Sequence, residues 1–284
     1  WVSMLTRVYV TISTGQLAAA ALADPYVSLV LAEQDIDTDR AASLSALAFA
    51  GRASDGRSLE GLLVESVIRV KTLIASGADV TTALRSGEAS LLRIVTTQVA
   101  DAGRTAVGTA TVARPAATKW VRMLNPPSCS RCALLAGKVY RWNQGFRRHP
   151  HCDCVHIPST ESIAGDLTTD PAAYFNSLTA ADQDRYFTVA GAQAIRDGAD
   201  IGQVVNARRR GAMYQANERS YTREGTTVRG FAGSRIGGTT ERLSDARYSS
   251  VKTGRPMPET IYGNATDRAE AVGLLRRYGY LVAA

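Results

Sequence analysis

The sequence predicts a mainly α-helical protein with a small central β module, an α+β fold. Three observations lead to this prediction. Segments of the first third repeat their apolar residues with the period of a helix, and the pattern changes to that of short strands between residues 118 and 160. All four cysteines and all three histidines fall inside that same stretch. We therefore expect a helical N-terminal part, a Cys/His zinc hairpin, and a helical and flexible basic C-terminal part.

The N-terminal region, residues 1–117, is predicted to contain four helices. Two shorter ones are expected near Val2–Ala23 and Tyr26–Glu33. A third begins at Ser58, and Gly77 stands where its C-terminal cap is expected. The fourth runs from Glu88 to about Val112, before Pro115 stops it. Its inward residues are predicted to be Leu91, Leu92, Ile94, Val95, Val99 and Val107.

The central module, residues 118–160, is predicted to form short strands. Trp120–Leu124 has strand character and is followed by an Asn-Pro-Pro turn. Residues Lys138–Trp142 and Val155–Ile157 are expected to pair as the outgoing and returning strands of a hairpin.

The C-terminal half combines helices with an irregular basic segment. In residues 161–220, helices are predicted to begin at the N-cap Thr179 and to cover Ala192–Asp197 and Ile201–Tyr214. Residues 221–255 hold six glycines with many Thr, Ser and Arg residues, which predicts a flexible arm. The last region, 256–284, is predicted to be helical over Thr266–Tyr278.

Composition indicates a folded protein without a membrane-spanning segment. Hydrophobic residues make up 45% of the chain and charged residues 21%. We find no run of the roughly 18 to 20 uncharged apolar residues that a membrane span needs, and we expect no membrane partner. The sequence begins at Trp1 rather than at Met, which is consistent with a natural start further upstream.

The net charge of +7 lies mainly in residues 119–160, which hold 7 basic side chains and 1 acidic one, whereas residues 1–118 are close to neutral. Residues 201–255 hold 11 basic and 4 acidic side chains, and nearly all of the basic ones are arginines. A guanidinium group can donate two parallel hydrogen bonds to a phosphate or a carboxylate. Such a segment predicts weak, sequence-independent contact with DNA. The alternative is that these arginines are solvated or paired with nearby carboxylates or a protein partner. The tentative nucleic-acid-binding residues are Arg208, Arg209, Arg210, Arg219, Arg223 and Arg229.

The spacing of the cysteines predicts a structural zinc site. Cys129 and Cys132 form a Cys-x-x-Cys pair, and a second cluster follows after sixteen residues. This is the separation at which two pairs of ligands complete a tetrahedron around Zn²⁺. The second cluster contains His149, His151, Cys152, Cys154 and His156.

The residues alone leave the full ligand set open. Cys129 and Cys132 form the first pair, His149 and Cys152 share the same spacing, and Cys154 could replace either of these two. His151 and His156 are weaker candidates, as supporting or surface groups. Disulfides and a redox Cys-x-x-Cys are alternatives, but the interleaved histidines favour a metal and no β-α-β pattern surrounds the motif. A closed thiolate-rich site favours zinc in a structural role.

The central segment resembles the phage Mu F-type (MuF-like) minor capsid, or head morphogenesis, proteins of tailed phages that infect actinobacteria. The resemblance covers about residues 120–158 and departs from the family's Cys-Arg-Cys at Asp153. The matching residues are Cys129, Cys132, Gly137, His149, Pro150, Cys152 and Cys154.

The resemblance implies a non-enzymatic virion protein of early head assembly. Its partners would be the portal and capsid proteins, with packaged DNA as a further contact. Its location would be the head interior or the portal vertex, after assembly in the host cytoplasm.

Two enzymatic alternatives are less favoured by the residues. A zinc-containing DNA-binding protein or nuclease is conceivable, but Asp153 is the only acidic residue from 119 to 160, so carboxylates for a catalytic Mg²⁺ are lacking. A head maturation protease would need a base for a serine nucleophile, and every histidine lies inside the zinc segment. We therefore expect no enzymatic activity and no catalytic residues.

Overall fold

The computed structural model describes residues 2–144, 154–162, 170–242, 244 and 246–281, with the side chains of residues 2 and 3 left out. About 53% of the chain is helical and the strands form small antiparallel sheets, which confirms a mainly α fold with a small β component. The chain divides into two compact units. The first contains Trp1–Pro127 and Ala136–Thr168, and the second contains Ser128–Leu135 and Thr169–Ala284.

The first unit is built on four helices. They are α1 (Val2–Ala21), α2 (Ala23–Ala32), α3 (Leu59–Ala75) and α4 (Val80–Val112), with one 3-10 turn at Ala46–Phe49. Ser58 caps α3, since its hydroxyl accepts from the Gly61 amide over 3.0 Å. Gly77 follows α3 with a φ of 91°, as a C-terminal glycine should. The fourth helix begins earlier than predicted, because Asp79 accepts from the Thr82 amide and caps it.

Small residues, rather than the predicted bulky ones, form the buried side of α4. Leu92, predicted to face inward, is 57% exposed, which corrects that assignment. Small side chains let α1, α2 and α3 approach the α4 backbone closely. The helices therefore pack densely without large side chains on the buried side of α4. The buried residues on α4 include Ala83, Gly87, Ser90, Ala102, Ala106 and Ala110.

A three-stranded antiparallel sheet completes the first unit. Its strands are β1 (Lys119–Met123), β2 (Val139–Arg141) and β3 (Val155–Ser159). All three were predicted within two residues, but the order is β2-β1-β3. The expected hairpin is therefore corrected: β2 and β3 both pair with the central β1 and not with each other.

The second unit contains eight short helices and five short strands among its described residues. The helices are α5 (Ser130–Leu135), α6 (Pro171–Ser177), α7 (Ala180–Phe187), α8 (Val189–Arg196), α9 (Ile201–Ala207), α10 (Gly233–Ile236), α11 (Pro258–Asn264) and α12 (Arg268–Arg277). The strands are β4 (Met213–Ala216), β5 (Arg219–Thr222), β6 (Thr240–Glu241), β7 (Ser250–Val251) and β8 (Arg255–Pro256). The core residues include Ala194, Val204, Met257, Ile261, Leu275 and Tyr280.

The basic segment 221–255 contains more regular structure than an arm would. Strands β4, β5 and β8 form one sheet and β6 pairs with β7. The predicted helix Ile201–Tyr214 is corrected, because it ends at Ala207 and Tyr214 lies in β4. Arg255 is fully buried and donates to the carbonyl oxygens of Tyr278 (2.7 Å) and Gly279 (2.8 Å), so one end of the segment is tied to the chain after α12.

One apolar segment in the described part has the length and hydropathy of a membrane span. It is Met4–Ala32, which covers α1 and α2 and was not recognised in the sequence. In the first unit both helices pack on α4, where Ala20, Val27 and Leu31 are buried. Core helices and signal sequences have the same composition, so this property alone assigns no membrane role.

Candidate functional site

The predicted Cys-x-x-Cys pair lies at the beginning of α5. Cys129 precedes the helix and is half-buried, whereas Cys132 is only 1% exposed. The Ala133 amide donates to the Cys129 carbonyl oxygen over 3.0 Å and closes the first turn. Side chains three residues apart on a helical turn lie on the same side, so the two thiol groups are suited to a shared ligand.

Tyr174 of α6 holds the residue that precedes this pair. Its hydroxyl donates to the Ser128 carbonyl oxygen over 2.8 Å and accepts from the Ser128 amide over 2.7 Å. Burial raises the pKa of Tyr174, and the nearby Cys129 and Cys132 raise it further. The phenol therefore stays protonated at neutral pH and lies close to both thiols.

The second half of the predicted ligand set is described only at Cys154. This residue precedes β3 and has no exposed surface. His149, His151 and Cys152 lie outside the described residues. Within the described ranges, no three His, Cys, Asp or Glu side chains are grouped in a way that could hold a metal ion. The zinc site stays a prediction.

His156, a weaker candidate from the sequence, lies in the packing of the first unit's sheet. It is opposite Arg122 in the register of β3 against β1. Its ring packs edge-on to Trp120, with centroids 4.2 Å apart, and Trp120 stacks on Tyr140 at 4.4 Å. The Tyr26 hydroxyl donates to the His156 carbonyl oxygen over 2.8 Å. In the sequence, the aromatic residues Trp120 and Tyr140 on two neighbouring predicted strands were the signal that could have indicated this cluster.

The six arginines predicted to contact nucleic acid divide into two groups. Arg208 forms an ion pair with Glu259 and donates to the Thr188 hydroxyl, and burial lowers its pKa. Two further pairs are Arg209 with Glu224 at 3.6 Å and Arg223 with Glu241 at 3.5 Å.

The other three arginines make no ion pair with a carboxylate of the described residues. Arg210 and Arg219 are exposed, and the Arg229 guanidinium lies 5.0 Å from the Tyr248 ring. Pairing with nearby carboxylates, the alternative stated in the sequence analysis, therefore holds for three of the six arginines.

Sequence reasoning missed a cleft in the second unit where basic and aromatic residues meet. It is lined by residues of β4, β5 and α12, among them Tyr214, Arg219, Tyr221 and Arg277. The sequence signal for this cleft was the alternation of residue types within β4 and β5. It was not used because residues 201–214 were predicted as one helix.

Comparison with known proteins assigns the chain to a class of phage virion-associated proteins. A family model described as VG15 protein matches residues 15–181. The match covers more than half of the chain, and the chain belongs to the VG15 family. The matched segment extends from α1 into α7 and includes the whole Cys/His segment, whereas the basic segment 201–255 lies outside the match. No curated protein and no solved structure matches the chain.

Proposed function

We propose that this protein is a non-enzymatic, MuF-like minor capsid protein that takes part in head morphogenesis of a tailed phage infecting actinobacteria. Its place is the head interior or the portal vertex, and its partners are the portal and capsid proteins. The observation that carries the proposal is the VG15 family match over residues 15–181, which includes the segment with the MuF-like cysteine spacing.

The first unit has surface properties that suit a component of a larger assembly. Three leucines of the first unit are about two-thirds exposed or more: Leu22 between α1 and α2 at 67%, Leu29 in α2 at 71% and Leu47 in the 3-10 turn at 72%. Burial of a large apolar side chain against a partner removes apolar surface from water, which favours association. This supports a protein partner for the helical unit.

A structural zinc ion is part of the proposal. The donor chemistry fits, because Cys132 and Cys154 are buried thiols and Cys129 lies one helical turn from Cys132. Four of Cys129, Cys132, His149, Cys152 and Cys154 would hold the ion, which would stabilise the fold and leave no open position for water. Tyr174 would keep the first pair in place through Ser128.

Packaged DNA is the further proposed partner. The exposed Arg210 and Arg219 support this, since unpaired arginines at a surface attract phosphate without sequence preference. The three arginines already paired with carboxylates would contribute less.

Co-purification with the portal tests the assembly role. The protein, co-expressed with the portal and major capsid proteins of its own phage, should fractionate with portal rings and with assembled heads. Mass spectrometry of purified particles should find it at a low ratio to the major capsid protein. Its absence from both fractions, with the free protein folded, would contradict the proposal.

An activity assay separates the structural role from the nuclease alternative. Purified protein with Mg²⁺ or Mn²⁺ should leave DNA intact and should not process capsid protein. DNA cleavage that is lost in His151→Ala would replace the structural role with the nuclease.

A further inference from the structure

A cleft of about 680 Å³ opens within the second unit, outside the segment matched by the family model. One wall comes from the paired strands β4 and β5. The others come from the glycines after α10, the turn before β8 and the C-terminal end of α12. We call it the basic cleft.

The charge of the basic cleft has one sign. Arg219, Lys252 and Arg277 line it, all three are exposed, and no aspartate or glutamate is among those of its lining residues that the structure describes. None of the three forms an ion pair with a carboxylate in the described part of the chain. Three cations around one concave surface, without a carboxylate to neutralise them, favour an anion with several charged groups.

Aromatic rings line the cleft together with these cations. Tyr214 and Tyr221 are stacked across the two strands, with centroids 5.7 Å apart and planes 21° from parallel. Tyr278 is half-buried at the end of α12, with the Arg277 guanidinium 5.8 Å from its ring. Flat π-surfaces among basic groups are the combination by which proteins hold unpaired nucleic-acid bases and their phosphates.

Glycines shape two sides of the cleft. At Gly254, φ is +66° and an added Cβ would lie 1.9 Å from the Tyr214 hydroxyl oxygen, so only glycine lets this tyrosine lie against the turn. Gly237 and Gly238 have φ values of +64° and +94° with no atom near their Cβ positions. Their backbone is open to the close approach of a ligand.

We infer that the basic cleft binds a short stretch of single-stranded nucleic acid. Arg219, Lys252 and Arg277 contact consecutive phosphates, and the tyrosines offer stacking surfaces to the bases. A duplex keeps its bases paired and stacked inside, so it presents phosphates but no free base faces to these rings. The inference deepens the proposed contact with nucleic acid and is independent of the zinc site and of the position in the virion.

Titration of the full-length protein with fluorescent oligonucleotides tests the inference. The probes are a 12-nucleotide oligo-dT strand, the same length of abasic strand, and a 12-base-pair duplex. We expect the oligo-dT strand to bind at least about fivefold more tightly than the abasic strand, the smallest effect usually seen for one stacked base. The duplex should bind more weakly than oligo-dT at the same salt concentration.

Two variants with equal change in charge locate the site. In the cleft variant, Arg219, Lys252 and Arg277 are each changed to Gln. In the control, Arg85, Arg185 and Arg276 are changed to Gln; all three are exposed and do not line the cleft, and Arg276 neighbours Arg277 on α12.

The salt dependence gives a quantitative outcome. Each single-strand phosphate contact contributes about −0.7 to the slope of log affinity plotted against log salt concentration. Loss of three contacts should therefore make the slope of the cleft variant less negative by about 2. The control variant should retain the wild-type slope. Two results would refute single-strand binding in the basic cleft while leaving the general DNA contact in place. One is wild-type binding that weakens equally in the two variants, and the other is equal affinity for oligo-dT, abasic strand and duplex. Absence of any binding by the wild type would overturn both.

Discussion

Tyr174 and Ser128 exchange two hydrogen bonds, although they are 46 positions apart in the chain. One phenol hydroxyl satisfies both the amide and the carbonyl of Ser128, which is itself fully buried. Cys129 is the next residue, so α6 sets the position at which the Cys-x-x-Cys segment begins. The placement of the first two predicted zinc ligands therefore depends on a tyrosine well outside the cysteine motif.

Removing the Tyr174 hydroxyl should loosen this segment. In Tyr174→Phe the amide and carbonyl of Ser128 lose their shared partner while still buried, which should lower the free energy of unfolding by about 1–3 kcal/mol. With metal removed, Cys129 and Cys132 should react faster with a thiol reagent. Chemical denaturation and the rate of thiol modification measure the two effects.

Tyr248→Phe is the matched control for this substitution. The Tyr248 ring lies near Arg229 and Arg247 in the second unit, and its hydroxyl has no hydrogen-bond partner among the described residues. The control should change neither stability nor thiol reactivity. If the two variants behave alike, Tyr174 does not hold the cysteine segment.

Metal analysis tests the zinc site directly. Purified protein should contain about one zinc per chain, and Cys129→Ser or Cys132→Ser should abolish it, whereas Ser130→Ala between them should not. A structural zinc ion contributes on the order of 10 kcal/mol at neutral pH, so its removal should unfold residues 120–158 while α1 to α4 persist. Fully folded protein without metal, with a melting temperature that chelator does not change, would refute the site.

The elements predicted well from the sequence are those with strong local signals. Thr179 was predicted as a cap, and its hydroxyl accepts from the Asp182 amide three residues on. The strands around Trp120 and Val155 were placed within two residues because β-branched and aromatic residues cluster there.

The features that were missed depend on contacts between distant residues. The buried stripe of α4 consists mostly of small residues, four alanines with a glycine, a serine and a threonine, and their burial follows from close helix packing and not from hydrophobicity. Strands β6, β7 and β8 have two residues each, too few to show a period. The buried Arg255 is assigned to the core only once the carbonyls of Tyr278 and Gly279 are seen beside it.

Close packing of α3 on α4 predicts an unusual penalty for alanine at Gly87. An added Cβ would lie 2.2 Å from Cγ2 of Val70, and a valine in a helix has essentially one rotamer to occupy. Gly87→Ala should gain up to about 1 kcal/mol of helix propensity but lose about 1–3 kcal/mol to overpacking. The net effect should be a lower melting temperature.

Two further variants separate packing from propensity at this position. Gly108→Ala lies on the same helix with no atom near its Cβ position, and it should raise stability by up to about 1 kcal/mol. In the Val70→Ala background, Gly87→Ala should become neutral or stabilising, because the obstructing methyl group is gone. A double-mutant cycle without coupling between the two sites would show that the helices do not meet there.

The last prediction concerns acid stability and the buried carboxylate of Asp197, whose side chain is 1% exposed. Burial by itself raises the pKa of Asp197, but hydrogen bonds from Tyr262 (2.6 Å), Arg268 (2.8 Å) and Gln193 (3.2 Å) outweigh it and hold the pKa below its usual value. A carboxyl whose pKa is lower in the folded state contributes stability above its unfolded pKa of about 3.9. That contribution is lost as the pH falls from there through the folded pKa.

At neutral pH, Asp197→Asn should therefore lower the free energy of unfolding by about 1.5–3 kcal/mol, the range for hydrogen bonds to a charged group. The difference from wild type should shrink as the pH falls below about 4, because protonation removes the same charge from the wild type. Urea denaturation of both proteins at matched pH values measures the difference, and release of a bound metal in acid would affect both equally. Glu218→Gln, at an exposed position, should show no such pH-dependent difference. A constant gap between Asp197→Asn and wild type down to pH values well below 4 would mean that the stability difference does not come from the charge of Asp197.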